Sequence, residues 1–323
     1  MRPLAVIRRE LMGPRGLGLV LARAVRDAVA LGRFARRRGV ALVHSNTSVV
    51  LGGMLSAAVA GVPHVWHVRE IYSRFGRFWP LYRSFLRRSA SALVCVSEAT
   101  ATQFGESDRP RVIHDGLAVE SVRAPRSVAR NALGLEPDAP VIAVLGRISD
   151  WKGQDVLVRA LAQPPLRERG VVGVIAGEAW PGTEARAARV LEAADELGVH
   201  DRLRMVGFRE DVETVLGAAD VVAVPSTAPD PLPGAALEAG AAGSAVVASA
   251  HGGLPEIIRD GETGRLVAPG DAVALARVSA ELLDDPAQRE RLGAAAARDI
   301  RERFSAGRLL DEIQGLYDAL LRA

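Results

Sequence analysis

The chain of 323 residues has a single cysteine, Cys95, so neither a disulfide framework nor a cysteine-based metal cluster is open to it. Cys95 sits in the apolar run Ala92 to Val96, where the expectation is a small buried hydrophobe, not a nucleophile. Such cysteine usage fits a reducing, cytoplasmic setting. Aromatic residues are only 4% against 49% hydrophobic residues in all, so the cores must be built from Ala, Val and Leu. No run of about eighteen residues is apolar throughout, and no membrane-spanning helix is expected. The opening MRPLAVIRRELMGPRG has basic residues inside and after a very short apolar patch, without the continuous apolar region of a signal peptide. Internal repeats, low-complexity tracts, a Ser-His-Asp signature and a GxGxxG fingerprint are also missing.

What is present is long enough for two domains. The net charge of +3 hides an asymmetry. Residues 1–120 carry 18 Arg and no Lys against 8 acids, and residues 121–323 carry the other 23 bases against 30 acids. A basic half joined to an acidic half suggests an anionic partner for the former. Basic stretches are not interleaved with aromatics in any nucleic-acid-binding pattern, so a membrane surface or an anionic acceptor is preferred to nucleic acid.

The stretch around which the rest is arranged is VVAVPSTAPDPLPGAALEAGAAGSAVVASAHGGLPE, residues 221–256. Val221 to Val224 reads as a buried strand stopped by Pro225-Ser226. A Pro-rich loop with Asp230 leads into an Ala-rich helix from Gly234 to Ala242 that contains Glu238. Ala245 to Ala248 reads as a second strand, His251-Gly252-Gly253 as a tight loop, and Pro255-Glu256 as a helix start. This is the βαβ rhythm of a parallel sheet, in which ligands sit beyond the carboxyl ends of the strands. Backbone N–H groups at Gly234, Ala235 and Ala236 would carry the positive end of the helix dipole and suit a phosphate. Asp230 and Glu238, eight residues apart, would instead accept hydrogen bonds from sugar or ribose hydroxyls. The plain alternatives are an N-terminal helix acid and a solvated helix residue.

This stretch resembles the E-x7-E region of retaining glycosyltransferases of family 4, which have the GT-B fold. Asp230 stands at the first Glu of that pattern and Glu238 at the second. EAGAAGSAVVASAHGGLPEIIRDGETGRLV continues the likeness. Two departures concern the donor loop: Asp230 is one methylene shorter than Glu, and Pro233 stands where a Gly is common.

Earlier in the chain, Val141 to Leu145 reads as a strand followed by GRISDWKG and a helix from about Gln154. Arg147 and Lys152 on that loop are two cations suited to a diphosphate, or else a pair of surface charges. The glycine spacing is not that of a P-loop. The loop is similar to the G-R-x(n)-K-G segment of family 4, which implies that Gly146, Arg147 and Lys152 bind the donor diphosphate and steady the leaving group. Val171 to Ala176, Leu203 to Val206 and the helices Glu184 to Leu197 and Asp211 to Gly217 complete the second half. Gly207-Phe208 matches a pair whose backbone contacts the nucleotide base, with core packing of Phe208 the equal alternative. Residues 117–140 read as a Pro-, Arg- and Ser-rich connector, and the chain after Leu266-Val267 as helical to the end.

In the first half, residues 18–38 read as a helix closed by Arg36-Arg37-Arg38-Gly39. Val40 to His44, His64 to Val68, Ala92 to Val96 and Arg111 to His114 read as strands. Ser45, Asn46 or Thr47 could cap the helix after the first strand, and Ser97 the helix after the third. VHSNTSVVLGG, VPHVWHVRE and LVCVSEAT also resemble family 4, and His67 falls on a histidine that contacts the donor sugar. His44, His64 and His67 lie on different strands without a ligand pair, so no metal is expected and core roles are the default for His44 and His64. Trp79 to Arg88, WPLYRSFLRR, is amphipathic: either a basic helix lying on an anionic bilayer or a domain helix with its apolar stripe inward. Only about forty residues precede the first strand, so the start of the N-terminal domain is expected to be missing relative to family 4 chains, leaving an exposed sheet edge.

The expected architecture is α/β of the GT-B type. An incomplete N-terminal Rossmann-like domain (1–116) is followed by a C-terminal nucleotide-sugar-binding one (117–323), with the last helix crossing back. The resemblance implies retaining transfer of a sugar from a nucleotide diphosphate sugar to an acceptor hydroxyl, in polysaccharide or glycolipid synthesis. Arg147, Lys152, Asp230 and His67 would be catalytic, with Gly146, Gly207, Phe208, Pro233, Gly234, Ala235 and Glu238 binding the donor. No cofactor or metal is implied, and the protein is expected in the cytoplasm, peripheral to the inner face of the cell membrane. The alternatives are a non-catalytic nucleotide-sugar binder or inactive remnant, and a GT-B epimerase that needs no acceptor.

Overall fold

The computed structural model describes residues 14–72, 76–106, 109–117 and 121–322. The chain divides into two compact units, one of residues 1–115 with 307–323 and one of residues 116–306. Each is built on a parallel sheet flanked by helices, the doubly wound arrangement that alternating strand and helix patterns specify.

The first unit contains α1 (Pro14–Arg37), β1 (Val43–Ser45), α2 (Gly52–Ala60), β2 (His64–Val68), α3 (Trp79–Arg88), β3 (Ala92–Cys95), α4 (Glu98–Thr102) and β4 (Arg111–Val112). Its strands lie in the order β1-β2-β3-β4, all parallel. Ser97 caps α4, its hydroxyl accepting from the Thr100 N–H. The expected cap of α2 is different. Leu51 occupies the N-cap position without a side-chain bond, because Ser45 is spent on His64 and both Thr47 and Ser48 on the Glu70 carboxylate. α3 resolves its two readings in favour of packing. Leu86 is fully buried, and Trp79, Tyr82 and Phe85 join the core formed by Trp66, Tyr72 and Phe104, so the stripe proposed for a bilayer faces inward.

The second unit begins with α5 (Arg126–Ala132), a helix inside the segment read as a connector. Its cause is Arg130, a single side chain that organises the turn after it: the guanidinium donates to the carbonyls of Glu136, Pro137 and Ala139 and to the Asp220 carboxylate. Then come β5 (Val141–Leu145), α6 (Gln154–Leu161), α7 (Pro164–Arg167), β6 (Val172–Ala176), α8 (Ala185–Glu196), β7 (Leu203–Met205), α9 (Val212–Ala218) and β8 (Val221–Val224). α10 (Gly234–Ala241), β9 (Val246–Ser249), α11 (Leu254–Ile257), β10 (Arg265–Val267), α12 (Ala272–Asp284) and α13 (Pro286–Arg303) follow. The sheet order is β10-β9-β8-β5-β6-β7, parallel throughout. Both faces of β5 and β8 are covered, which is why VIAVL and VVAV are apolar without alternation. The direction of strand order reverses between β5 and β8, the place where such sheets open a ligand crevice.

The final helix, α14 (Ala306–Arg322), belongs to the first unit. Leu309, Ile313, Leu316 and Leu320 pack with Val65, Val94 and Ile113, and Tyr317 meets His44.

Candidate functional site

The switch point of the second sheet collects the loop after β5, the loop after β8 and the start of α10. Gly146 takes a φ of 127°, a region that favours glycine, and its N–H donates to the Ala176 carbonyl at 2.9 Å. Gly177, after β6, packs so closely that a Cβ on it would overlap the Gly146 carbonyl oxygen. The Gly177 N–H in turn donates to the Gly207 carbonyl at 2.7 Å. Three glycines thus tie the carboxyl ends of β5, β6 and β7 backbone to backbone.

The cationic loop is held from below. Gln154, buried at the first turn of α6, donates through Nε2 to the Arg147 carbonyl at 3.1 Å. Gly153 has a φ of 80°, and a Cβ there would overlap the Pro225 carbonyl oxygen, so the loop lies directly on the end of β8. The Thr227 N–H donates to the Trp151 carbonyl at 2.8 Å across the same seam. Arg147 is exposed, its guanidinium 5.2 Å from the centroid of the Trp180 ring. Lys152 Nζ lies 4.6 Å from the Trp151 ring centroid and 2.7 Å from Asp230 Oδ2.

Asp230 is therefore not merely an N-terminal helix acid: it is buried, 5% exposed, and ion-paired. Its backbone is gripped by the glycine loop after β9. Gly252, at φ 60°, would bring a Cβ within 2.5 Å of the Asp230 carbonyl oxygen, and the Gly253 N–H donates to that oxygen at 2.8 Å. His251 Nε2 donates to the Ser226 carbonyl at 2.8 Å, fixing the same loop to the end of β8.

Pro233 precedes α10 as its N-cap, and its carbonyl accepts from the Ala236 and Leu237 N–H groups. The N–H groups of Gly234 and Ala235 are the ones left at the helix tip, where the positive end of the dipole lies. Glu238 is half-buried one turn on, and its side chain reaches back toward the tip, with Oε1 3.7 Å from the place a Gly234 Cβ would occupy. Burial pushes the Glu238 carboxyl above its ordinary range. Phe208 is 68% exposed beyond Gly207, which removes the core-packing reading. Gly207 and Glu178 also meet, a Gly207 Cβ lying 3.4 Å from Glu178 Oε1.

His67 belongs to the first unit. It is buried on β2, its ring stacked on His44 at 5.5 Å, while His44 Nδ1 pairs with the Tyr317 hydroxyl at 2.6 Å. Burial first, and then the neighbouring His44, lower the His67 pKa to about 4, so its ring is neutral. Nε2 of His67 has no hydrogen-bond partner among the described residues. His64 bonds Ser45 and the Ser89 carbonyl, as a core histidine should. No group of three or more His, Cys, Asp or Glu among the described residues is placed to hold a metal ion.

Sequence reading passed over Trp180, Trp151 and Gln154. Both tryptophans of the second unit lie against the two cations of the loop, and Lys152 is the only lysine in the chain. A lone lysine inside a glycine-flanked loop, next to a tryptophan, is a signal that composition alone could have raised.

Residues 125–299 match the family described as glycosyl transferases group 1, and residues 3–121 match the model for glycosyltransferase family 4. The chain belongs to the group 1 glycosyl transferases. Among curated relatives, the D-inositol 3-phosphate glycosyltransferase of Streptomyces coelicolor is 37% identical over 214 residues, which is 60% of this chain and 46% of that protein. Its counterpart in Kribbella flavida is 43% identical over 195 residues, 57% of this chain and 45% of that one. The chain thus spans about half the length of the curated relatives it matches. Among solved structures, Anabaena Alr3699/HepE in complex with UDP and glucose superposes with a TM-score of 0.83 at 27% identity, covering 91% of this chain and 81% of that one. Sucrose-phosphate synthase from Thermosynechococcus elongatus gives 0.79 at 25% identity over 98% of this chain and 80% of that one. The two parallel-sheet units match the fold of these solved structures.

Proposed function

We propose that the protein transfers a sugar from a nucleotide diphosphate sugar to an acceptor hydroxyl with retention at the anomeric carbon, in polysaccharide or glycolipid synthesis. The observation that carries this reading is the junction of Lys152 with Asp230 beside the tip of α10. A cation, a buried acid and free N–H groups are gathered on two adjoining loops of one switch point. Arg147 and Lys152 neutralise the departing diphosphate with help from the N–H groups of Gly234 and Ala235, which is stabilisation of charge where it develops. Gly146 and Pro233 shape the two loops. Glu238 accepts from ribose hydroxyls and Asp230 from hydroxyls of the donor sugar, while Gly207 and Phe208 border the base. His67 is assigned a donor-sugar contact on the family resemblance. The cations supply the positive charge that a divalent metal supplies elsewhere, and the donor is a substrate rather than a cofactor. The similarity to a protein solved with UDP and glucose supports a uridine diphosphate sugar as the first donor to try. The basic first unit takes an anionic membrane surface as its partner on the cytoplasmic side, not nucleic acid.

The test is nucleotide release from a panel of UDP-, GDP- and ADP-sugars, with and without acceptor, by the wild type and by Lys152→Ala. Release that depends on acceptor and disappears in the folded variant supports transfer. Wild-type turnover by Lys152→Ala, or donor binding with no release under any condition, would refute it.

A further inference from the structure

We propose that the amino-terminal edge of the four-stranded sheet in the first unit is a docking surface for an anionic phospholipid bilayer. The inference deepens the surface partner named above and rests on that part of the reading alone. Two rules combine to build this edge. Cations are favoured in the last turn of a helix, and in a parallel sheet every returning helix ends at the amino-terminal edge. α1 ends in Arg36 and Arg37, with Arg38 next, α3 ends in Arg87 and Arg88, and Arg322 closes α14.

Contacts within the unit place these ends together. Gly32 of α1 packs on α2 so that a Cβ would lie 2.5 Å from Val59 Cγ1, while Gly52 at the start of α2 meets Asp27. α1 and α2 therefore run side by side in one direction, and Arg36 to Arg38 lie beyond the end of α2, level with the turn into β2. The Val43 N–H donates to the Pro63 carbonyl at 3.0 Å, closing that turn. Arg88 borders a groove of about 660 Å³ with Met54, Ala57, Val62, Phe85 and Ser91, at the starts of β2 and β3. α14 begins at the other edge, where Arg308 donates to the His114 carbonyl, and descends to Tyr317 at His44, so Arg322 lies further toward the amino-terminal edge.

Arg36, Arg37, Arg38, Arg88 and Arg322 are exposed, and Arg36 to Arg38 have no acidic partner among the described residues. Asp318, one turn before Arg322, accepts from Gln314 Nε2. Three helix carboxyl ends offset about half a charge each, which leaves roughly +3 on the edge. Between the cations stand apolar side chains, Phe34 at 56% and Leu321 at 51% exposure, with the Arg38 guanidinium 5.6 Å from the Phe34 ring centroid. Guanidinium groups beside aromatic and aliphatic side chains match the headgroup layer of an anionic bilayer, where charge meets phosphate and Phe or Leu enters the acyl boundary. A nucleic-acid surface would instead present aromatic platforms for successive bases.

The experiment is sedimentation of the full chain with vesicles of phosphatidylcholine alone or mixed with phosphatidylglycerol. Binding is expected only to the mixed vesicles and is expected to weaken with salt. Each arginine lost near such a surface lowers partition about fivefold, so R36Q/R37Q/R38Q should fall on the order of 100-fold. R291Q/R298Q/R301Q, which removes the same charge from exposed positions on α13, should bind as wild type. Nucleotide binding and release, measured in solution, should be unchanged in both, which separates this proposal from the donor-site reading. Absence of wild-type binding to mixed vesicles, equal loss in the two triple variants, or preferred binding to a single-stranded oligonucleotide in competition would overturn it.

Discussion

Lys152 and Asp230, 78 residues apart in sequence, share one ion pair of 2.7 Å, with side-chain exposures of 21% and 7%. Removing either partner leaves the other charge in a poorly solvated place, whereas removing both relieves it. The two substitutions Lys152→Ala and Asp230→Ala should therefore be non-additive in urea unfolding, with a coupling of about 1–3 kcal/mol. Additive losses would show that the pair is not closed in solution. In turnover the same cycle should show Lys152→Ala alone costing about 100- to 1,000-fold, the scale of a lost oxyanion-type donor.

Glu238 offers a pH test. Burial raises its carboxyl pKa, and only the ionised form is a full acceptor for ribose hydroxyls. Nucleotide affinity should fall as the pH drops through that raised value, at a higher pH than an ordinary carboxylate would show. Glu238→Gln should bind more weakly at neutral pH and lose this dependence. Isothermal titration with the nucleoside diphosphate across a pH series decides it; an unchanged slope in Glu238→Gln would assign the effect elsewhere.

Much of the second unit was legible because its strands are pure apolar runs with Pro or Gly at their ends. Val141–Leu145 and Val221–Val224 lie where the sequence places them. The short elements were not. β10 (Arg265–Val267) has no length to register a period, and α5 forms because Arg130 finds Asp220 some 90 residues away, which no local signal reports. The same holds for the candidate site. Asp230 and Glu238 could be named from spacing and resemblance, but the burial of Asp230 and its lysine partner depend on the fold. In the first unit, Ser45 and Thr47 looked like helix caps because their actual partners, His64 and Glu70, lie at the two ends of another strand. Tertiary hydrogen bonds outbid a local cap there.

Gly153 should tolerate no side chain. Its φ of 80° is costly for L-residues, and a Cβ would strike the Pro225 carbonyl oxygen, a backbone atom that cannot step aside. Gly153→Ala should destabilise the protein by about 1–3 kcal/mol and displace Lys152, its neighbour in the loop. Calorimetry together with donor titration checks both effects. Retained affinity in a destabilised protein would separate loop geometry from donor binding.

The buried histidines of the first unit set its acid response. His67 and His64, both buried, have folded pKa values lowered from 6.5 to about 4, in each case mainly by burial. At pH 7 both are neutral in either state and the effect is absent. Between 6.5 and about 4 the unfolded chain binds protons that the native state refuses, so stability rises with pH across this window and is lost as the pH falls through it. Each histidine can cost up to about 3 kcal/mol by the lower limit. Urea unfolding followed by fluorescence at several pH values, with Trp66, whose Nε1 donates to Ser89 Oγ, reporting the transition of the first unit, checks this. The wild type should give a slope of at least about two protons, His44, whose pKa burial also lowers, adding to His64 and His67. His67→Gln should reduce that slope by one proton. His64 and His44 should then account for the remainder, because the bonds of His64 to Ser45 and Ser89 and of His44 to Tyr317 do not involve His67. A wild-type profile flat from pH 7 to 4 would mean that these rings are hydrated in solution and that the stacked pair His44–His67 does not close the sheet against α14.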